Sequence, residues 1–440
     1  ASPNLTGNDD YFHIRFSQVM WQSGLAPHFP WLPLTILNPD DFYDHHFLYH
    51  VLLIPFTFGN LTIGAKWSAI IFSSLAFLMG WVVLRGQQVP YAALWALGFF
   101  AVSEAFLYRL SMTRVQAVSL FMLLLMLHVT LQKKHFWLLP LAFVYTWLYD
   151  AFPLMLAMLG IYVAVTLLFE QQFRPAPLLY AALGVGLGLL INPYFPNNLV
   201  FIYRHYLPKI IEIADADISV GNEWYPYQTW SLAKNSGPAL IAFAAGALAL
   251  GMRDRRMDAA TAVLFFTALF FGALLFKSRR FIEYFPAFVL IFCAVAWKPL
   301  LKKWQQRNRL APLILSILLV PAIIFNIQKT RENIEDGNPP EQYAAAAAWL
   351  IKNSPPGSRL FQTDWDDFTR LFFHNTHNTY TLGLDPTYMQ LHDPELYDLW
   401  LDIGKGRFER PSEPIVERFG ASYVLTDLKH EDFLEEAGDD

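Results

Sequence analysis

Hydrophobic residues run along this chain in long unbroken stretches separated by short polar loops. Stretches of spanning or near-spanning length lie at 64–84, 90–107, 115–132, 136–149, 151–169, 176–192, 237–252, 258–276, 281–297 and 311–327. A helix needs about 20 residues to cross a bilayer core, so the pattern predicts about ten spans, with those at 136–149 and 237–252 short. The stretch 47–58 (FLYHVLLIPFTF) is too short to cross and reads as interfacial or re-entrant. After 327 the pattern changes. The short runs RLFQT, TYTLG and SYVLT read as strands, and AAAAAWLIKN, PELYDLWLDI and PIVERF read as helices, the first opened by Pro339 and Pro340.

Loop charges orient the spans. Arg85, Lys133, Lys134, Arg174, Arg253, Arg255, Arg256, Lys298, Lys302, Lys303, Arg307 and Arg309 fall in alternate loops. Basic residues collect in cytoplasmic loops, which puts 1–63, 108–114, Asp150, 193–236, 277–280 and 328–440 on the other side. The expected fold is an α-helical polytopic membrane protein in three parts: an extracytoplasmic first loop at 1–63, a transmembrane bundle at 64–327 and a small extracytoplasmic α/β domain at 328–440. With Ala1 already outside, a further span is expected before it, about eleven in all. The expected location is the cell (inner or plasma) membrane.

Composition agrees with lipid as the solvent. The 440 residues are 55% hydrophobic and only 16% charged, with a mean hydropathy of +0.29; a soluble domain carries about 25% charge. The net charge of -5 divides into -12 for 328–440 and +7 for the remainder. No basic face with interleaved aromatics appears, so nucleic acid is not an expected partner. The single cysteine, Cys293, excludes an internal disulfide and a cysteine zinc site.

In so apolar a chain the charged residues carry the chemistry. GNDDYFHIR places Asp9, Asp10, His13 and Arg15 in the first loop, where a carboxylate at the mouth of a membrane cavity can deprotonate an acceptor or bind a metal. DDFYDHHFLYH packs three acids and three histidines into eleven residues. Asp44, His45 and His46 there are candidates for a divalent cation or a phosphate, or for capping the short helix that follows. KSRRFIEYFP sets Lys277, Arg279 and Arg280 on the outside against the positive-inside trend, which a lipid phosphate would explain, with Glu283 orienting an arginine. Arg109 and Arg114 form a second candidate phosphate contact. Glu104, Asp150, Asp215, Asp217 and Glu223 are isolated external acids. In TDWDDFTRLFF, Asp364, Asp366 and Asp367 follow a strand, where α/β domains commonly bind ligands.

GNDDYFHIR followed by SQVMWQSG resembles the first external loop of oligosaccharyltransferase catalytic subunits and related GT-C glycosyltransferases. That loop runs roughly Asp-Pro-Tyr-Tyr-His-Leu-Arg; Asp9, Tyr11, His13 and Arg15 match, and Asp10 replaces the proline. The resemblance implies a GT-C membrane fold, with the family's catalytic or metal-binding carboxylate falling on Asp9. The tentative ion ligands are Asp9 and Asp44, for Mg2+ or Mn2+. The external loop 108–114 lacks the family's second acidic pair, which leaves a metal-independent reaction open. Trp365 and Asp366 echo the family's Trp-Trp-Asp-Tyr-Gly, but the Tyr-Gly is missing and sequon recognition is not carried over. A glutamate in a later external loop is also a family feature, and Glu223 is its loose counterpart.

The activity expected is transfer of a sugar or oligosaccharide from a polyprenyl-phosphate or diphosphate carrier to a protein, lipid or glycan acceptor, with membrane lipid as the surrounding partner. Asp9, Asp10 and Asp44 are the catalytic candidates. His13, Arg15, His45, His46, Arg109, Arg114, Glu223, Arg279, Arg280, Glu283, Asp364 and Asp366 are the substrate-binding ones. A lipid transporter or flippase is the alternative, but transporters place ionisable groups near the midplane of repeated, broken helices. Here the acids crowd the outer boundary and no repeat is visible.

Overall fold

The computed structural model describes residues 2–206, 221–252, 257–307 and 311–438. Helix starts follow local capping. The Asn60 side chain accepts from the Ile63 N–H at 3.0 Å and opens the helix Leu61–Gly86. Ser103 does the same for Glu104–Leu110, and Asp258 for Ala259–Lys277.

Among the described residues four helices are long and apolar enough to cross a membrane: Leu61–Gly86, Phe152–Glu170, Ala259–Lys277 and Phe285–Trp304. A fifth is added if Ala92–Phe100 and Glu104–Leu110, bent by 82°, count as one span. The expected spans at 115–132, 136–149 and 176–192 are shorter helices, Gln116–Leu131, His135–Leu148 and Ala176–Leu190. Those at 237–252 and 311–327 lie within Thr229–Gly251 and Ala311–Glu335, which extend into polar residues. Hydropathy marks where the chain is apolar, not where its backbone breaks. Phe47–Thr57 is a short apolar helix, as its length predicts.

Phe285–Arg307 is the hub of the bundle. Phe288, Ile291, Phe292 and Ala294 are fully buried, against Thr229–Gly251 on one side and Ala259–Lys277 on the other. Gly246 permits the first contact, since a Cβ there would sit 2.6 Å from the Phe292 ring. Leu61–Gly86, Gln116–Leu131, Phe152–Glu170 and Phe285–Arg307 all begin at one end of the bundle. Glu104–Leu110, Leu138–Leu148, Ala259–Lys277 and Ala311–Glu335 finish there. At that end Asn333 donates to Glu104 at 2.7 Å.

The same end carries the first loop and the C-terminal residues. The latter form a three-stranded parallel sheet, order β2-β1-β3, from β1 (Arg359–Gln362), β2 (Thr379–Tyr380) and β3 (Ala421–Leu425), with Leu360 opposite both Tyr380 and Tyr423. All three strands lie on the runs read from the sequence. The alanine-rich helix starts at Ala344 rather than at the prolines, because Tyr343 takes a left-handed conformation that ends the preceding turn.

The two regions share one core. Helix α1 (Asp9–Ser23) supplies Phe12 and Phe16, which pack with Phe29, Trp31, Phe368, Phe372 and Tyr380. The Trp31 indole donates to the Thr376 carbonyl at 2.9 Å, and the Tyr380 N–H donates to the Trp31 carbonyl at 2.8 Å.

Candidate active site

A cavity of about 760 Å³ lies where the bundle end, the first loop and the C-terminal domain meet. Helix α1 begins at its wall with Asp9, and acids in a first turn are favoured by the helix dipole. Asp9 and His13, four residues apart, share one helix face, and both line the cavity. Asp10, about 100° round the helix, does not line it. Its carboxylate accepts from the Gly7 N–H at 3.0 Å, and burial pushes it up to about 7.

The opposite wall is a network of ion pairs. Glu223 sits among three guanidinium groups, 2.7 Å from Arg109, 3.1 Å from Arg114 and 3.9 Å from Arg280. Burial works against its charge, but the three arginines hold its carboxyl well below the usual range. Arg114 also pairs with Asp9 at 3.0 Å, and the Arg109 Nε donates to the buried Glu283 at 2.6 Å. Arg280 lies 4.7 Å over the Trp224 ring and donates to the Tyr149 hydroxyl at 2.8 Å. Burial raises that phenol to about 12 despite Arg280, so it stays protonated. Asp9 is raised as well, by burial first, with Arg114 opposing and Glu223 adding. Leu154, Leu274, Phe281 and Tyr284 line the cavity beside the arginines and give the charged wall an apolar neighbour.

The overall arrangement of helices and C-terminal domain superposes on known structures. The Archaeoglobus fulgidus oligosaccharyltransferase AglB, in complex with an inhibitory peptide and a dolichol-phosphate, superposes with a TM-score of 0.65 at 14% identity. That match covers 99% of this chain and 68% of the other. ArnT from Cupriavidus metallidurans superposes with a TM-score of 0.57 at 14% identity, over 94% of this chain and 90% of that one. The chain has the GT-C fold. A third structure, the Archaeoglobus enzyme tethered with an acceptor peptide containing an NVT sequon, gives a TM-score of 0.59 at 16% identity over 99% of this chain and 68% of the other. This chain spans about two thirds of the length of the archaeal enzyme. No family model matches the sequence, and no curated protein matches it either.

Of the fifteen catalytic and substrate-binding candidates from the sequence of this GT-C chain, nine line the cavity: Asp9, His13, His45, His46, Arg109, Arg114, Glu223, Arg280 and Asp366; Asp150, Lys277 and Trp365, also noted in the sequence, line it too. The other six candidates do not. Asp10 braces the turn at Gly7, and Arg15 bonds Gln18. Asp44 accepts from His50 at 2.7 Å and from the His46 N–H at 3.0 Å. Arg279 donates to the Pro226 carbonyl at 3.2 Å, Glu283 lies behind Arg109, and Asp364 caps the Asp366 N–H at 3.1 Å. Asp215 and Asp217 lie outside the described residues. Tyr149, Trp224 and Tyr388 also line the cavity and carry no sequence signal, since aromatics are 16% of the chain. Trp224 alone had a hint, as the neighbour of Glu223.

The expected ion ligands do not come together. Asp44 is committed to His50 and does not line the cavity, while Asp9 is paired with Arg114. Among the described residues no group of three or more His, Cys, Asp or Glu side chains is gathered to hold a metal. The donor set therefore does not fit Mg2+ or Mn2+ held by Asp9 and Asp44, and the positive charge beside Asp9 is guanidinium.

The soluble domain holds the start of α1 in place. Asn8 donates to the Asp366 side chain at 2.9 Å, and the Arg370 Nε donates to Asn8 at 2.9 Å. Arg370 lies 4.3 Å over the Tyr11 ring and also donates to the Pro339 carbonyl at 2.9 Å. Arg370→Met keeps much of the packing and removes these bonds. Hydrogen bonds to a charged group are worth about 1.5–3 kcal/mol, so thermal unfolding should show a loss of that order.

Proposed function

We propose that this chain is a glycosyltransferase that moves a sugar or oligosaccharide from a polyprenyl-phosphate or diphosphate carrier to a polar acceptor at the extracytoplasmic face. The observation that carries this is the cavity itself, with the carboxylate of Asp9 and three arginines around one space and an apolar wall adjoining. Arg109, Arg114 and Arg280 suit phosphate oxygens, which guanidinium forks bind in pairs. The polyprenyl chain would lie along Leu154, Leu274 and Phe281. The acceptor enters from the soluble domain, past Trp365, Asp366, Asp385 and Tyr388. The presence of dolichol-phosphate and acceptor peptides in complexes of the archaeal GT-C enzyme supports both halves of this reading. Arg85, Lys133, Lys134 and Arg174 follow helices at the opposite end of the bundle from the cavity, and the positive-inside trend then supports an outward-facing site.

Asp9 takes the proton of an acceptor hydroxyl as its oxygen attacks the anomeric carbon. The bond from that carbon to the carrier phosphate breaks, and its electrons leave with the phosphate oxygen beside the arginines. Direct displacement inverts the anomeric centre. The test is transfer from a defined polyprenyl-phosphate sugar by purified protein, with and without EDTA. Arg280→Gln removes one charged contact and should weaken donor binding about tenfold to a hundredfold. Unchanged binding of a polyprenyl-phosphate analogue to the folded variant would count against the phosphate role.

A further inference from the structure

Behind the cavity wall lies a chain of buried polar groups that ion pairing and phosphate binding leave unexplained. The short helix α2 (Phe47–Leu53) carries His50, whose Nδ1 is 2.7 Å from the Asp44 carboxylate. Its Nε2 is 2.8 Å from Nδ1 of His13. All three side chains are nearly fully buried, yet His13 also lines the cavity. A carboxylate can only accept, so His50 donates from Nδ1, and in the relay's resting arrangement it carries its lone pair on Nε2. That lone pair takes the Nδ1 proton of His13, and the His13 lone pair is then fixed on Nε2. The His46 backbone N–H, which donates to Asp44 at 3.0 Å, steadies the far end.

We propose that Asp44, His50 and His13 form a proton relay ending at Nε2 of His13, and that His13 receives the proton that Asp9 takes from the acceptor. This rests on the transfer reaction above. When the acceptor oxygen bonds to the anomeric carbon and the carrier phosphate departs, Asp9 is left protonated and must be emptied before the next turnover. His13, on the same face of α1, accepts that proton at Nε2 and then gives it up from Nε2 to water in the cavity it lines, returning to the neutral form. The positive charge on its ring is stabilised through His50 by the carboxylate of Asp44. His13 is the catalytic group, and His50 and Asp44 are positioning residues. Burial first, then His50, Arg114 and His45, hold resting His13 well below the usual histidine range, so it is neutral between turnovers. The groups facing it are His45 and His46 from the preceding turn, Tyr49 and His50 from α2, and Arg114, with Asp9 on its own helix face.

Two measurements on the full chain in lipid nanodiscs test this. The first needs no activity. With 15N-labelled histidine, the His13 and His50 signals are assigned by their loss in His13→Gln and His50→Gln. Both rings should carry the proton on Nδ1 near neutral pH. A proton on Nε2 of His13, or a doubly protonated His13, would overturn the relay. The second is kinetic. Asp44→Asn removes the charge, and His50→Gln keeps an acceptor and a donor but cannot pass a proton. Each should lower kcat about 10- to 100-fold, the usual worth of groups that orient a histidine, with donor KM unchanged. In Asp44→Asn the pH at which the labelled His13 ring takes its second proton should also fall, because an uncompensated imidazolium forms less readily. A merely structural link would change the folded fraction and leave that titration in place. Wild-type kcat in both variants, with His13 titrating as in the wild type, would overturn the relay. Failure of the wild-type protein to transfer from any polyprenyl-phosphate sugar would instead overturn the functional reading, and the histidine signals would still decide the arrangement of protons.

Discussion

Asp9→Asn should lower kcat about 10²–10⁴-fold, the usual worth of a positioned general base, while the protein stays folded and donor binding is retained. The expectation follows from where the carboxylate sits. It opens to the cavity with 29% of its side chain exposed and has Arg114 at 3.0 Å. An amide there can keep a hydrogen bond to the substrate but cannot take its proton. Asp10→Asn is the natural comparison, since Asp10 is fully buried and braces Gly7. It should cost stability more than turnover. Burial raises Asp9 from its ordinary value, with Arg114 opposing. A base must be ionised to act, so the wild-type rate should be full above that raised pKa and fall as the pH drops through it. Wild-type turnover in Asp9→Asn would remove it from the reaction, and loss confined to Asp10→Asn would move the role by one residue.

The distribution of charge made much of this site legible. Holding a charge in an apolar chain is costly, so each one that remains has a partner or a task. Arg109, Arg114, Glu223 and Arg280 stand out in the sequence for that reason, although they come from three separate loops. Their mutual pairing was not legible, because nothing local says that Glu223 meets three arginines more than 50 residues away on either side. The phase of α1 was also hidden. Asp9 and Asp10 look equivalent in sequence, and only the helix decides which one shares a face with His13. His50 counts among the three histidines of DDFYDHHFLYH, but nothing local in the sequence gives it a role apart from its neighbours. Only the fold brings it between Asp44 and His13. The strands at 359–362, 379–380 and 421–425 were legible from short apolar runs. The interlocking of the soluble domain with the first loop was not, since Phe12, Phe372 and Tyr380 look like any aromatic residues in a chain so rich in them. That shared core changes how the domain can be probed. Removing 338–440 would strip Phe12, Phe16 and Trp31 of their partners, so acceptor effects are better sought with single substitutions such as Asp366→Asn.

Glu223→Gln should destabilise the protein by about 3 kcal/mol, the lower end of the range for breaking a buried ion pair, since the cavity leaves 21% of this side chain exposed. Three carboxylates, Asp9, Glu223 and Glu283, balance Arg109, Arg114 and Arg280 in the network, and Glu223 alone touches all three arginines. Neutralising it leaves the guanidinium groups facing one another with one positive charge in excess. The same excess makes the variant a test of what the arginines bind. A phosphate entering the cavity would supply the missing negative charge, so added polyprenyl phosphate should restore more stability to Glu223→Gln than to the wild type. Turnover should fall even with donor bound, because Arg114 is no longer held between Glu223 and Asp9. Thermal unfolding of both proteins in detergent, with and without the lipid phosphate, separates these effects. Equal stability of the two empty proteins would show that the network is not held by Glu223. Equal stabilisation by the lipid would show that the phosphate does not bind at the arginines.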